Sequence, residues 1–310
     1  MLISTMEIKH LSHTEIDRQK WDTCIQNACN AIVYAESWFL DMVSPRWEAL
    51  ICGDYEYVMP LPVKKKFGIL FLVQPPLTQQ LGVFSSNKID ENIIEHFIQK
   101  IPYRSYHLCF NEQNVFGKGI KQSNFILRLN SDYNTIFSAY STNTKRNIKK
   151  ANNYNIKIKT DLSVKEFFHF YNSVEKNYPD IPETKMNRLI EESCKRNKIT
   201  LYGAYSNRNE LIAALCLLHS PQRLIYLLPV SNQEGKNTFT MFKMVDEIIQ
   251  KFENKEVIFD FAGSNAPNIA RFYQGFGAEL HTYFMMKHWS INDLIKYLFF
   301  WKYKNSKTTK

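Results

Sequence analysis

The stretch Ala270-Arg-Phe-Tyr-Gln-Gly-Phe-Gly-Ala278 predicts an amphipathic helix that stops at a glycine. Pro267 suits the first helical turn, and Gly277 suits the left-handed residue that often follows a helix end. An apolar run at 257–261 precedes the helix and another at 280–286 follows it, which predicts a β-α-β unit of a layered α/β domain. The apolar face of the helix is formed by Ile269, Phe272, Tyr273 and Phe276.

Upstream, the C-terminal half continues this pattern. Ser163-Val-Lys-Glu166 has the form of a capping box before an apolar helical stripe, and a second helix is predicted after Pro182. Three short strands separated by polar turns follow, and then a helix with an apolar stripe over 241–252. With a first strand at 154–159, the predicted order is β-α-α-β-β-β-α-β-α-β, a mixed sheet flanked by helices.

The N-terminal half repeats this order of elements. A shift of 151 residues aligns Ile98-Gln-Lys100 with Ile249-Gln-Lys251, and the apolar stripes of the two helices stay in step. The N-terminal half has only a short connection over 111–124 where the C-terminal half has its last helix. We therefore expect the chemistry in the C-terminal unit, and a structural or acceptor-holding role for the N-terminal unit.

The predicted fold class is α/β (α+β), with two tandem units. The expected boundaries are residues 1–130 for the N-terminal unit and 131–290 for the C-terminal unit, and 291–310 is expected to form a C-terminal helix with a basic tail.

Composition narrows the class of protein. The 310 residues are 45% hydrophobic and 14% aromatic, which excludes a disordered chain, and the start does not have the pattern of a signal peptide. No run of 18 apolar residues predicts a membrane span. Six cysteines without a CxxC, and histidines without ligand spacing, predict no metal and a reducing cytoplasm. The net charge of +9 indicates an anionic partner.

Three segments carry a family resemblance: Ser141-Thr-Asn-Thr-Lys-Arg-Asn-Ile-Lys-Lys-Ala151, Phe259-Asp-Phe-Ala-Gly-Ser264 and Ile269 to Ala278. The last segment and the element order resemble the GNAT acyltransferase fold. Two such units in one chain resemble the FemAB family, which comprises aminoacyl-tRNA-dependent aminoacyltransferases that extend peptidoglycan precursors. The resemblance implies transfer of an acyl or aminoacyl group to an amine of a cell-envelope or nucleotide-linked precursor. It implies aminoacyl-tRNA or acyl-CoA as the donor substrate, and no tightly bound cofactor.

Two residues are candidates for proton transfer. Asp260 interrupts an apolar strand, so it is either a structural hydrogen-bond acceptor or a base near the incoming amine. Tyr273 matches the position at which many GNAT enzymes present a tyrosine to the leaving group, although it could simply pack its helix.

The predicted donor-binding residues are Gln233, Gly235 and Lys236, at the place where GNAT enzymes bind the CoA pyrophosphate in a glycine-rich loop. This segment has one glycine, and Glu234 would repel phosphate. The donor is therefore open between CoA and tRNA.

Phosphate contacts are predicted for Lys145, Arg146 and Lys149, which share one broad helical face in a segment without acidic residues. The alternative is a solvated helix between two domains. Further substrate contacts are predicted at Ser264 and Arg271, with an exposed helix arginine as the alternative for Arg271. Lys64 lies in a predicted hairpin turn and is the candidate contact of the N-terminal unit to an anionic acceptor.

The segment 291–310 combines an apolar face with terminal lysines. It suits either a peripheral contact with the inner face of the membrane or a helix packed on the core. Two alternative functions stay open: a CoA-dependent GNAT N-acetyltransferase acting on a small amine or amino sugar, and a non-catalytic protein that binds RNA or a precursor.

Overall fold

Side-chain capping begins several helices where the sequence predicted them. The computed structural model describes residues 7–174 and 183–294. Ser163 and Glu166 form the predicted capping box. Ser141 caps the helix that begins at Thr142 by accepting a hydrogen bond from the Thr144 amide. At the last helix Pro267 occupies the first turn and Gly277, with φ 77°, follows the end.

The chain forms two compact units. The first comprises the described residues up to Gln122 and those from Thr282 onward, and the second runs from Ser123 to His281. The sequence predicts unit boundaries at residues 130 and 290. The structure instead begins the second unit inside one strand and returns the end of the last strand to the first unit.

The first unit is built from two sheets. One has the strand order β1-β2-β3-β6 and is antiparallel. In the other, β5 (Ile69–Val73) pairs antiparallel with β4 (Val63–Lys66) and parallel with β7 (Tyr106–Cys109), and β7 pairs antiparallel with β14 (Glu279–His288). The elements are β1 Ile8–Leu11, α1 Arg18–Asn27, a 3-10 turn Val33–Ala35, α2 Ser37–Val43, β2 Glu48–Cys52, β3 Tyr57–Leu61, β4 Val63–Lys66, β5 Ile69–Val73, β6 Phe84–Ser85, α3 Glu91–Gln99, β7 Tyr106–Cys109 and the start of β8 Ile120–Arg128.

The second unit is a mixed sheet with the order β8-β13-β12-β11-β10-β9, in which β12 and β13 are parallel. Its core contains the apolar face of α9 and an aromatic cluster described below. After β8 the elements are α4 Tyr133–Ser138, α5 Thr142–Asn152, β9 Lys157–Lys159, α6 Val164–Ser173, α7 Glu183–Lys195, β10 Ile199–Tyr205, β11 Leu211–Ser220, β12 Arg223–Ser231, α8 Gln233–Asn237, α9 Thr240–Lys251, β13 Ile258–Asp260, α10 Pro267–Gly275 and β14 Glu279–His288.

The two units share a strand pattern. In each unit antiparallel strands lead to a helix, and the strand after that helix runs parallel to a strand before it. This strand pair is β7 and β5 in the first unit and β13 and β12 in the second. The predicted α/β class, with mixed sheets flanked by helices, is confirmed. No helix occupies the described connection between β7 and β8, where the second unit has α10.

Two local predictions are wrong. Lys64 does not lie in a turn: it belongs to strand β4, and the turn is formed by Phe67 and Gly68. The predicted donor loop at Gln233 is the short helix α8. Of the predicted C-terminal helix 291–310, residues 295–310 lie outside the described residues, and Ile291 is exposed.

Candidate functional site

The parallel ladder between β12 and β13 is short. Their pairing ends at Ile225 opposite Asp260, where β13 stops, whereas β12 continues to Ser231. In open α/β sheets, ligands bind beyond the carboxyl ends of parallel strands. The space between the end of β12 and the loop 260–264, which we call the wedge, is therefore the candidate site of the second unit.

Both sides of this wedge have unusual backbone conformations. Leu228, within β12, has φ 51°, and Ala262, after β13, has φ 55°. The β11–β12 register shifts between Ala214 and Cys216, as it does at a β-bulge. Left-handed backbone costs energy for residues other than glycine and is concentrated at functional sites. Sequence reasoning missed Leu228, although Pro229, which cannot donate to a sheet ladder, was a signal for a bulge.

Asp260 is fully buried and held from two sides. Its Oδ2 lies 2.5 Å from Nη1 of Arg223, and its Oδ1 accepts from the Ala262 amide at 2.8 Å. Arg223 supplies the charge that a buried carboxylate needs, and the amide contact fixes the turn after β13. These are the contacts of an anchoring carboxylate. A role for Asp260 as a base stays a prediction.

Tyr273 is buried in an aromatic cluster at the root of the wedge. Its ring stacks on Phe261 with centroids 4.6 Å apart, and it lies edge-on to Tyr226 at 6.1 Å. Phe125 contacts it from β8 at 5.9 Å. The cluster fixes the orientation of Tyr273 and fills the inner part of the wedge with aromatic rings. The role of Tyr273 as a proton donor stays a prediction.

The predicted donor-binding residues lie in α8. Asn232 caps this helix by accepting from the Gly235 amide at 2.9 Å, and Gln233 bonds Asn237 at 2.8 Å. A Cβ on Gly235 would lie 2.3 Å from the Ile212 carbonyl oxygen, so the glycine permits close packing on β11. The Gly235 amide is thus engaged within the protein instead of facing an anion. Lys236 is exposed in the last turn of the helix.

Glu234 is the acidic residue of the same helix. It forms an ion pair with Arg208 at 3.3 Å. Its negative charge disfavours an anionic ligand at α8.

The predicted phosphate-contacting residues lie on α5, as expected. Lys145 Nζ donates to the Ser138 carbonyl at 2.9 Å, and Arg146 donates to the Asn143 side chain at 2.7 Å. Lys149 is exposed one turn further along. The sequence thus located a solvent-facing basic surface, which we call the α5 basic face: Lys145, Arg146, Lys149 and Lys150.

Helix α10 packs against the start of α5. A Cβ on Gly275 would lie 2.4 Å from Thr144 Oγ1, and the Ser141 amide donates to the Gly275 carbonyl at 2.9 Å. Arg271 is exposed one turn before Gly275, on the side of α10 that meets α5. Ser264 accepts from the Ala266 amide at 3.0 Å and so stabilises the turn before α10.

The remaining predictions concern residues elsewhere. Lys64 is exposed on β4 of the first unit. Burial raises the pKa of the Cys109 thiol to about 11 and that of Cys216 well above its ordinary value of 9.0, so neither thiol is an activated nucleophile at neutral pH. Among the residues that the structure describes, no cluster of three or more histidine, cysteine or acidic side chains could hold a metal ion. Over the same residues, no helix is long and apolar enough to cross a membrane.

No family model matches the sequence, and no curated protein matches it. Several solved structures do resemble this chain. FemX superposes with a TM-score of 0.64 at 10% identity, covering 91% of this chain and 98% of FemX. A conserved Bacteroides thetaiotaomicron protein of unknown function superposes with a TM-score of 0.50 at 9% identity, over 87% of this chain and 92% of its own. A tandem GNAT protein from the clavulanic acid biosynthesis pathway has a TM-score of 0.47 at 12% identity, covering 90% of this chain and 97% of that protein. At these identities the likeness establishes the fold alone: the chain has the FemX-like fold.

Proposed function

We propose that this protein is an N-acyltransferase that moves an aminoacyl or acyl group onto an amine of a cell-envelope or nucleotide-linked precursor. The observation that carries this proposal is the end of the β12–β13 ladder at Ile225 and Asp260, with the left-handed residues Leu228 and Ala262 beyond it, in a chain with the fold of FemX.

Two features favour aminoacyl-tRNA over acyl-CoA as the donor. Helix α8 engages its Gly235 amide internally and carries Glu234, whose negative charge disfavours the pyrophosphate of CoA. The α5 basic face presents four cations to solvent or near it, which suits the repeated phosphates of a nucleic acid.

The reaction needs no covalent enzyme intermediate. The amine nitrogen attacks the carbonyl carbon of the aminoacyl ester, a carbon–nitrogen bond forms, and the bond to the ribose oxygen breaks. The amine loses one proton and the departing oxygen gains one. In this proposal Tyr273 donates the proton to the leaving oxygen, and Asp260 assists the loss of the amine proton through the loop that it anchors, with Ser264 and Arg271 on the same side of the site.

A second candidate function is binding without turnover. The rings of Tyr226, Phe261 and Tyr273 fill the inner wedge, and Arg223 neutralises Asp260. These contacts favour a protein that binds RNA or a precursor through the α5 basic face without catalysing transfer.

Label transfer from charged tRNA separates these functions. The chain is incubated with tRNA bearing radiolabelled amino acids and with amine-containing precursors, and thiol release from acetyl-CoA is measured in parallel. We expect label on the precursor, and a roughly 100-fold lower kcat for Tyr273→Phe. The matched control Tyr226→Phe removes a hydroxyl from the same cluster and should retain kcat within about threefold. Salt-dependent tRNA binding without transfer from either donor would support the non-catalytic alternative, and thiol release alone would identify CoA as the donor.

A further inference from the structure

The hairpin of β4 and β5 in the first unit has an unusual surface. Lys64, Lys65 and Lys66 are three consecutive exposed residues on β4, the last strand at one end of its sheet. Phe67 and Gly68 form the turn, with φ 53° and 78°, the left-handed pair typical of a tight two-residue hairpin. The hairpin therefore presents three positive charges around a narrow tip.

Apolar side chains accompany these charges. Leu70 is 47% exposed and lies directly opposite Lys65 in the β4–β5 register, so both residues face the same side of the hairpin. At the tip, Lys66 Nζ lies 5.4 Å from the centre of the Phe67 ring. A lysine whose stem lies along an apolar surface while its ammonium stays polar is typical of interfacial contacts.

A second apolar segment joins the hairpin within the same unit. The ring of Trp289 packs on Phe71 of β5, with centroids 5.2 Å apart. The residues that follow include Ile291, which is 75% exposed, and Leu294, which is 45% exposed. Phe71 follows Leu70 on β5, so the Trp289 ring lies on the face of the hairpin opposite Leu70, and exposed Ile291 and Leu294 follow it in the chain.

Protection of a sheet edge explains only part of this pattern. Lysines on an edge strand prevent pairing with other chains, whereas exposed hydrophobic residues at an edge favour it. Exposed Leu70 and Ile291 would work against that purpose. A nucleic acid would be served by the lysines, but aliphatic side chains contribute little to phosphate binding.

We propose that the β4–β5 hairpin docks the first unit onto a lipid surface with anionic headgroups. The lysines contact the headgroup phosphates, and Phe67 and Leu70 enter the interfacial layer. Near an anionic membrane each lysine is expected to strengthen binding by roughly fivefold, and three lysines by about 100-fold. The proposal does not depend on the acyltransferase activity.

Vesicle flotation tests the proposal. The full chain is mixed with vesicles of phosphatidylcholine alone or with about a third phosphatidylglycerol, at a salt concentration near physiological. We expect binding to the anionic vesicles, weakened about 100-fold by Lys64→Gln with Lys65→Gln and Lys66→Gln, and retained when all three are changed to Arg. The matched control changes Lys88, Lys100 and Lys121, which are exposed lysines of the same unit, to Gln. Equal weakening by both triple variants would show a general charge effect and overturn the proposal.

Two further measurements cover the remaining outcomes. Leu70→Ser should weaken binding most at high salt, because the apolar contact is not screened. Hydrogen exchange on the unchanged chain should show protection of residues 64–71 in the presence of anionic vesicles, and this readout needs no variant to fold. Protection confined to other segments would overturn the proposal. Full displacement from the vesicles by tRNA, but not by inorganic phosphate, would identify a nucleic acid as the partner instead.

Discussion

Arg223 and Asp260 form a buried ion pair between neighbouring parallel strands of the second unit, with Nη1 and Oδ2 2.5 Å apart. The carboxylate is 1% exposed and the guanidinium 12% exposed. The pair lies at the place where β13 ends and the candidate site begins, so it sets the geometry of the loop 260–264.

Arg223→Ala should destabilise the protein by about 3–5 kcal/mol, because it leaves a buried carboxylate without a compensating charge. The free energy of unfolding, measured by urea denaturation, tests this. Arg208→Ala is the control, since Arg208 is 68% exposed in its pair with Glu234 and should cost about 1 kcal/mol or less. Equal losses for the two variants would contradict the anchoring role of the pair.

Gly235→Ala should lower the melting temperature markedly, because the added Cβ would meet the Ile212 carbonyl oxygen at 2.3 Å and displace α8 from β11. A backbone clash of this kind is expected to cost about 2 kcal/mol or more. At Gly117 the nearest atom to an added Cβ is a Glu91 oxygen at 3.4 Å, so Gly117→Ala should leave the melting temperature nearly unchanged. Unchanged stability of Gly235→Ala would mean that the glycine serves a ligand and not packing.

The combined changes Lys145→Gln, Arg146→Gln and Lys149→Gln should weaken tRNA binding by about 10- to 100-fold. The slope of log affinity against log salt should fall by about 2 to 3, because up to three phosphate contacts are lost. Filter binding over a range of salt concentrations measures both. Replacing Lys165, Lys185 and Lys255, which are exposed on the same unit, removes equal charge and should change affinity by less than about threefold. Equal slopes for the two triple variants would rule out a specific nucleic-acid contact on α5.

His219 should make stability depend on pH. Its ring bonds Thr200 Oγ1 at 2.8 Å, and burial, with Lys251 and Lys198 nearby, lowers its pKa below the ordinary value of 6.5. The unfolded chain therefore takes up this proton at a higher pH than the folded chain. The stability contribution is fully present above pH 6.5 and is lost as the pH falls from there toward the folded pKa.

His219→Gln should reduce this loss below pH 6.5, as measured by urea denaturation at several pH values. The exposed His169→Gln is the control and should leave the pH profile of the wild type in place. An unchanged profile for His219→Gln would assign the acid sensitivity to other groups.

Much of the fold was predictable from local signals. Three features depend only on residues close together in the sequence: the capping box at Ser163, the apolar stripe of α9, and helix α10, which begins at Pro267 and ends before Gly277. The wrong prediction at Lys64 has a physical cause: three lysines read as a turn, but on an edge strand they face solvent while the backbone still pairs with β5.

The candidate site was harder to predict because its key contacts are distant in sequence. Asp260 was visible as a charge within an apolar run, but its partner Arg223 lies on another strand. The helix at Gln233 was predicted as a phosphate loop, because a short capped helix and a phosphate loop use the same residue types. The position of the α5 basic residues on a helix surface was predictable because surface charge needs no tertiary partner to be recognised; their phosphate contacts stay a prediction.

The pairing of β7 with β14 determines the order in which the newly made chain can fold. The first unit lacks one strand of its sheet until residues 282–288 have been synthesised, whereas every residue of the second unit precedes Thr282. Domains usually complete folding in the order in which they leave the ribosome. We expect the reverse order here: the second unit can finish first, and the first unit waits, with the edge of β7 unpaired, until residues 282–288 of β14 have been made.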